Sequence, residues 1–174
     1  MASNLQNLSE FDPSELPDAT EIRVGIVCSD WNTNITNSLY EACYKTLLGA
    51  GVDPEEVHTM NVPGTFELPT GARLLAMEKK LDAVICLGCV IKGDTEHDVY
   101  INSAVSQGLV NLSLALNGLP VIFGVLTTND EQQALDRSGG KHGNKGVEAA
   151  TTALRMASLY RKVTRQGKGM TIRF

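Results

Sequence analysis

From Arg23 onward, short apolar runs alternate with segments of helical spacing, and that alternation leaves the chain few architectures. Val24-Gly25-Ile26-Val27-Cys28 reads as a buried strand closed by the polar turn Ser29-Asp30. Leu39, Ala42, Cys43, Thr46 and Leu47 then recur at helical steps, with Gly49 and Gly51 as the stop. Val57 to Val62 alternates as a second strand, Pro63-Gly64 breaks it, and Leu68 to Met77 is helical. Leu81 to Gly88 forms a third strand. In the long helix 97–117, Tyr100, Ile101, Ala104, Val105, Gly108, Leu109, Leu112 and Leu116 share one face. Val121 to Leu126 is the fourth strand. A short helix over Glu131 to Asp136, a glycine-rich loop and a last helix from Lys145 to Lys162 complete the order.

Strands separated by helices require right-handed crossovers and hence parallel pairing. Ala83-Val84-Ile85-Cys86-Leu87 is apolar at every position, so helices must cover both faces of the sheet. The expectation is an α/β fold, a three-layer αβα sandwich around a central four-stranded parallel sheet. A chain of 174 residues with 43% hydrophobic content can bury roughly 70% of its unfolded surface without disulfides. Cys28, Cys43, Cys86 and Cys89 lie in regular apolar segments, and the C-x-x-C of Cys86 and Cys89 lacks a second pair or a His-x-x-x-His, which argues against a metal. With no basic-plus-apolar leader and no apolar run of spanning length, a reduced, cytoplasmic protein with no membrane partner is expected. A net charge of −5 argues against nucleic acid. The charge is polarised: Glu10, Asp12, Glu15, Asp18 and Glu21 precede any basic residue, and Arg155, Arg161, Lys162, Arg165, Lys168 and Arg173 follow the last acidic one. Either these ends are a flexible lead and a solvated tail, or they meet across a subunit contact.

Ligands of such sheets sit at the carboxyl ends of the strands. After the first strand comes Trp31, flanked by Asp30 and Asn32, either a packing residue or a platform for a planar heterocycle. After the second, Pro63-Gly64-Thr65-Phe66-Glu67-Leu68-Pro69 offers a helix start. There Glu67 either stabilises the helix dipole or accepts from ligand hydroxyls, with the Thr65 and Phe66 amides as donors. Gly88-Cys89-Val90-Ile91-Lys92-Gly93-Asp94-Thr95-Glu96-His97-Asp98 leads into the long helix. Thr95 and Asp98 resemble a capping pair, while the helix start is also an anion site with His97 in reach for proton transfer. Asp94, Glu96 and Asp98 oppose an anion there, so a cation from elsewhere is needed. Arg137-Ser138-Gly139-Gly140-Lys141-His142-Gly143-Asn144-Lys145-Gly146 can supply it, or is a solvated turn. Neither a Walker loop nor a G-x-G-x-x-G is present.

These loops together resemble lumazine synthases. The likeness runs from about Arg23 to Lys162 and includes Pro-Gly-Thr-Phe-Glu-Leu-Pro, Gly-Cys-Val-Ile-Lys-Gly-Asp-Thr-Glu-His, Phe-Gly-Val-Leu-Thr-Thr and Gly146-Val147-Glu148-Ala149-Ala150. The resemblance implies a flavodoxin-like sandwich and a cofactor-free condensation of 5-amino-6-(D-ribitylamino)uracil with 3,4-dihydroxy-2-butanone 4-phosphate, through an imine, phosphate loss and ring closure. By the same likeness, Trp31 stacks on the pyrimidine, Thr65, Phe66 and Glu67 engage that substrate and its ribityl chain, and Cys89, Val90 and Ile91 line the ring edge. Asp94 and Thr95 bind the butanone phosphate, and His97 transfers protons. A neighbouring subunit completes the pocket with Phe123, Arg137, Lys145 and Glu148. The family often has an arginine and a smaller residue where this chain has Lys92 and Asp94; that acidic group bears on phosphate affinity more than on chemistry.

The resemblance further implies a homo-oligomer with sites between adjacent subunits, either a free pentamer or an icosahedral shell of twelve pentamers, and association with riboflavin synthase. The expected layout is an acidic, flexible segment 1–21, a catalytic domain 22–163 and a basic tail 164–174. Two other readings keep the fold without the turnover: a flavin-binding or shell-forming protein, against which His97 and Arg137 speak, and an electron carrier, which lacks a hydroxyl-rich phosphate loop after strand one.

Overall fold

The computed structural model describes residues 9–167. The sheet is four parallel strands, β1 (Val24–Ser29), β2 (Val57–Val62), β3 (Ala83–Ile91) and β4 (Val121–Thr128), in the order β2-β1-β3-β4. The helices are α1 (Thr33–Gly49), α2 (Leu68–Glu78), α3 (His97–Ala115), α4 (Glu131–Arg137) and α5 (Lys145–Gly167). Alternation of side chains along a strand divides the core in two. Ile26, Cys28, Ile85, Leu87, Ile122 and Leu126 pack with α1 and α5, notably Leu39, Leu47, Ala153 and Leu154. Val27, Val84, Cys86 and Val125 pack on the other face with α2 and α3, through Leu75, Val105, Leu109 and Leu112. Burial of both faces is why the strands read as continuous apolar runs.

Strand ends differ from the sequence reading. The third strand begins at Ala83, after Asp82 turns its carboxylate back to accept from the Arg23 amide at 2.9 Å. It runs on through Cys89, Val90 and Ile91, which the sequence put in a loop, because β4 extends to Thr128 and supplies partners Leu126, Thr127 and Thr128. The glycine-rich stretch is a small antiparallel hairpin, β5 (Ser138–Gly140) and β6 (Gly143–Asn144), in place of a featureless loop. On α3, the expected common face splits. Val105, Leu109 and Leu112 are buried against the sheet, whereas Tyr100 and Ala104 line a cavity, because the first turns of the helix rise past the strand ends.

The oppositely charged ends pair within one chain. Glu15, in a 3-10 turn at Pro13–Glu15, meets Arg155 at 3.3 Å, and Glu21 meets Arg161 at 2.7 Å. Arg161 also reaches Asp82 at 3.5 Å, beside the Arg23–Asp82 pair at 3.2 Å, and Ala19 is fully buried. Residues 9–21 of the acidic segment are thus held along α5, while residues 1–8 and most of the expected basic tail, 168–174, lie outside the described residues. No helix among the described residues is long and apolar enough to cross a membrane.

Candidate active site

A cavity of about 730 Å³ opens at the carboxyl ends of β1, β2 and β3, where the helices have not yet covered the sheet. The loop after β1 is tied to the end of β2: the Asp30 amide donates to Val62 O at 2.8 Å, the Trp31 amide to Pro63 O at 3.2 Å, and Asn61 Nδ2 to Asp30 Oδ1 at 2.8 Å. Held this way by its backbone, Trp31 presents its ring to the cavity mouth and is 67% exposed. It is not a core residue. Its neighbour Asn32 sits in the left-handed region at φ 60°, and its Nδ2 donates across the cavity floor to Cys89 O at 3.0 Å.

After β2 the chain makes a 3-10 turn, Thr65–Glu67, before Leu68 starts α2 with Pro69 in its first turn. Thr65 is 5% exposed, and its hydroxyl donates to the same Cys89 carbonyl at 3.4 Å. Gly88 makes room for it: a Cβ there would stand 2.8 Å from the Thr65 hydroxyl. Phe66 and Glu67 are exposed on the rim, both lining the cavity. Cys89, Val90 and Ile91 form the apolar wall. Burial pushes the Cys89 thiol up to about 11, so it stays protonated at neutral pH and serves as wall rather than nucleophile.

Gly93, Thr95 and His97 close the third side. Thr95 Oγ1 accepts from the His97 amide at 3.4 Å, a local turn bond ahead of α3; the N-cap position is Glu96, and no side-chain cap bond, from Thr95 with Asp98 or otherwise, closes the helix start. Asp94 is exposed nearby and is not among the lining residues. Asp98 does line the cavity, and one of its carboxylate oxygens is buried without a hydrogen-bond partner among the described residues.

The remaining candidates form a second group, none of them in this cavity. Arg137 Nη2 pairs with Glu148 Oε1 at 2.7 Å, Lys145 Nζ with Glu148 Oε2 at 3.1 Å, and Arg137 Nη1 donates to His142 O at 2.9 Å. Phe123 sits on the edge strand β4, 38% exposed. One chain therefore carries an aromatic, acidic and imidazole wall in one place and a guanidinium–ammonium pair in another. No cluster of His, Cys, Asp or Glu suited to a metal occurs among the described residues.

The sequence model of the 6,7-dimethyl-8-ribityllumazine synthase family matches residues 21–161. The chain is 52% identical over 158 residues to the 6,7-dimethyl-8-ribityllumazine synthase of Parabacteroides distasonis, covering 91% of this chain and 98% of that one. It is 53% identical over 156 residues to that of Cytophaga hutchinsonii, covering 90% and 97%, and 48% identical over 161 residues to that of Porphyromonas gingivalis, covering 92% and 99%. The chain belongs to the 6,7-dimethyl-8-ribityllumazine synthase family. Within this member of the family, sequence reasoning missed Asn32, Gly64, Asp98, Tyr100, Ile101 and Ala104 as cavity residues. Asn32 carried a usable signal, since Asn tolerates the left-handed conformation at a strand-to-helix turn. Tyr100, Ile101 and Ala104 on α3 carried none, because their spacing is that of a core-facing stripe.

Proposed function

We propose that this protein is an enzyme of riboflavin biosynthesis, a transferase that condenses 5-amino-6-(D-ribitylamino)uracil with 3,4-dihydroxy-2-butanone 4-phosphate to 6,7-dimethyl-8-ribityllumazine, releasing phosphate and water. The observation that carries it is the joint lining of one cavity by Trp31, Glu67 and His97. The indole stacks on the pyrimidine ring. The Thr65 and Phe66 amides donate to the heterocycle and the Glu67 carboxylate accepts from ribityl hydroxyls, while Cys89, Val90 and Ile91 pack against the ring edge. The substrate amine adds to the ketone and loses water to give an imine. A proton then leaves the hydroxyl-bearing carbon as phosphate departs from its neighbour, the resulting enol takes up a proton at the terminal carbon to become a new ketone, and the second nitrogen attacks that carbonyl, closing the ring with loss of a second water. Each step shifts a proton, and His97 on the cavity wall supplies an imidazole, a group that can both give and take one.

Phosphate meets the Thr95 region at the start of α3, where amides point outward. Asp94, exposed and outside the lining, turns its charge to solvent and leaves the anion to the backbone. The cation comes from a neighbouring subunit, whose Arg137, Lys145 and Glu148, with Phe123, cover the open side. Support for this shared site lies in the exposure of apolar side chains that a lone domain would bury: Val99, Val110 and Leu114 on α3, Leu74 and Met77 on α2, and Leu159 and Val163 on α5. A cyclic pentamer satisfies the heterologous contact between two different faces, and twelve pentamers close into a shell. Such a shell can associate with riboflavin synthase. The four free, buried cysteines suit the reducing cytoplasm. Mixing the two substrates with purified protein, without metal, nucleotide or other cofactor, produces the lumazine absorbance; its absence from assembled protein overturns the proposal.

A further inference from the structure

Arg137 immediately precedes Ser138, and Lys145 immediately follows Asn144; Ser138 and Asn144 are cross-strand partners in the β5–β6 hairpin. Closing that pair is what delivers the guanidinium and the ammonium to the two oxygens of Glu148. A hairpin this short does not support itself in water. Its register must be held from outside, and Asn144 is the hairpin residue through which α1 and α5 hold it.

Asn144 is 8% exposed, and its polar groups are committed. Its Nδ2 donates to Ser38 O at 3.2 Å and to Ser38 Oγ at 3.4 Å, both on α1. Its Oδ1 accepts from the Gly146 amide at 2.8 Å in the first turn of α5. Its own amide donates to Ser9 Oγ at 2.6 Å, and Ser9 Oγ donates to its carbonyl at 3.1 Å. Ser38 Oγ also donates to the Ser138 carbonyl on the opposite strand, so a single residue of α1 grips both halves of the hairpin. Gly146 lets the start of α5 lie on α1, since a side chain there would collide with the Leu39 carbonyl.

We propose that Asn144 is a positioning residue for the phosphate-facing half of the shared site: through Ser38 and Gly146 it sets the angle at which Arg137 and Lys145 leave the hairpin. This rests on the reading of Arg137 and Lys145 as the groups that meet the substrate phosphate. A residue that only stabilises the fold would weaken both substrates together, whereas one acting through Arg137 weakens the phosphate substrate alone.

The test compares Asn144→Ala, Arg137→Ala and the double variant as purified assemblies, with native mass and melting temperature recorded beside KM and kcat for each substrate. Asn144→Ala is expected to raise KM for the phosphate substrate on the order of tenfold, the effect of a lost buried hydrogen bond, with KM for the pyrimidine unchanged. In the Arg137→Ala background the same change is expected to add less than about twofold, because the group it aims is gone. Equal penalties in both backgrounds, or a parallel rise in both KM values, overturn the proposal. Should Asn144→Ala fail to assemble, Ser38→Ala carries the same expectation, and an unchanged phosphate KM in it overturns the proposal. An unchanged KM in Arg137→Ala overturns the underlying reading of the cationic group and this inference with it. A raised KM there beside a normal one in Asn144→Ala overturns this inference alone.

Discussion

His97 and the thiols of Cys28 and Cys89 show how differently polar side chains fare near the strand ends. His97, the first residue of α3, is exposed to the cavity, free to exchange protons with whatever occupies it. Replacing it with alanine is expected to lower kcat on the order of 10²-fold while leaving assembly intact, as loss of general acid–base catalysis does; a wild-type rate in single-turnover absorbance measurements removes it from the mechanism. Cys28 and Cys89 are pushed up to about 11, chiefly by burial, with the Asp30 charge adding to the effect on Cys28. The folded chain holds these protons more tightly than the unfolded one. Their contribution to stability is therefore whole below about pH 9 and is lost as pH climbs toward about 11. A melting-temperature series across that window should fall, and a flat series contradicts the burial argument. At neutral pH the same thiols should resist iodoacetamide until the chain is unfolded, as mass spectrometry of the alkylated protein can read.

At the scale of elements, the candidate residues divide by how they are held. Trp31, Thr65 and His97 belong to the loops and first turns that follow β1, β2 and β3; backbone bonds tie the Trp31 loop to the end of β2, and the Thr65 hydroxyl ties its turn to β3. Arg137 and Lys145 depend instead on a short hairpin wedged between α1 and α5. Gly146 is the tightest point of that wedge. Gly146→Ala is expected to cost about 3 kcal/mol, the upper end of overpacking, because the obstacle is the backbone carbonyl of Leu39 and not a flexible side chain. Urea denaturation checks this; an unchanged midpoint means that α5 can shift without loss. The layer order and the loop positions were legible in the apolar runs. The length of β3 was not, since Cys89, Val90 and Ile91 become strand only because Leu126, Thr127 and Thr128 lie beside them.

For the whole molecule, the decisive feature is that one chain presents its imidazole wall and its guanidinium group apart. If adjoining chains share each site, then His97→Ala and Arg137→Ala chains, each inactive or weakened alone, should complement when unfolded together and reassembled at equal ratio. About one quarter of the contacts in a randomly mixed ring would join two intact faces, and activity near that fraction of wild type is expected. Recovery no better than the two parents rules out sharing. Native mass spectrometry should find multiples of five chains, and a stable monomer with full activity would refute the oligomeric proposal.

Sequence by itself determined the parallel sandwich, the strand-end loops that line the cavity, and the polarity of the two ends, because local periodicity and turn chemistry record which face of each element leaves water. Only the tertiary structure decided that the acidic lead and the last helix pair within a single chain, that Asn32 and Thr65 converge on the Cys89 carbonyl, and that Asn144 binds the hairpin to α1 and α5. Those contacts join residues far apart along the chain, and a polar side chain carries no periodic trace of the distant group it will meet.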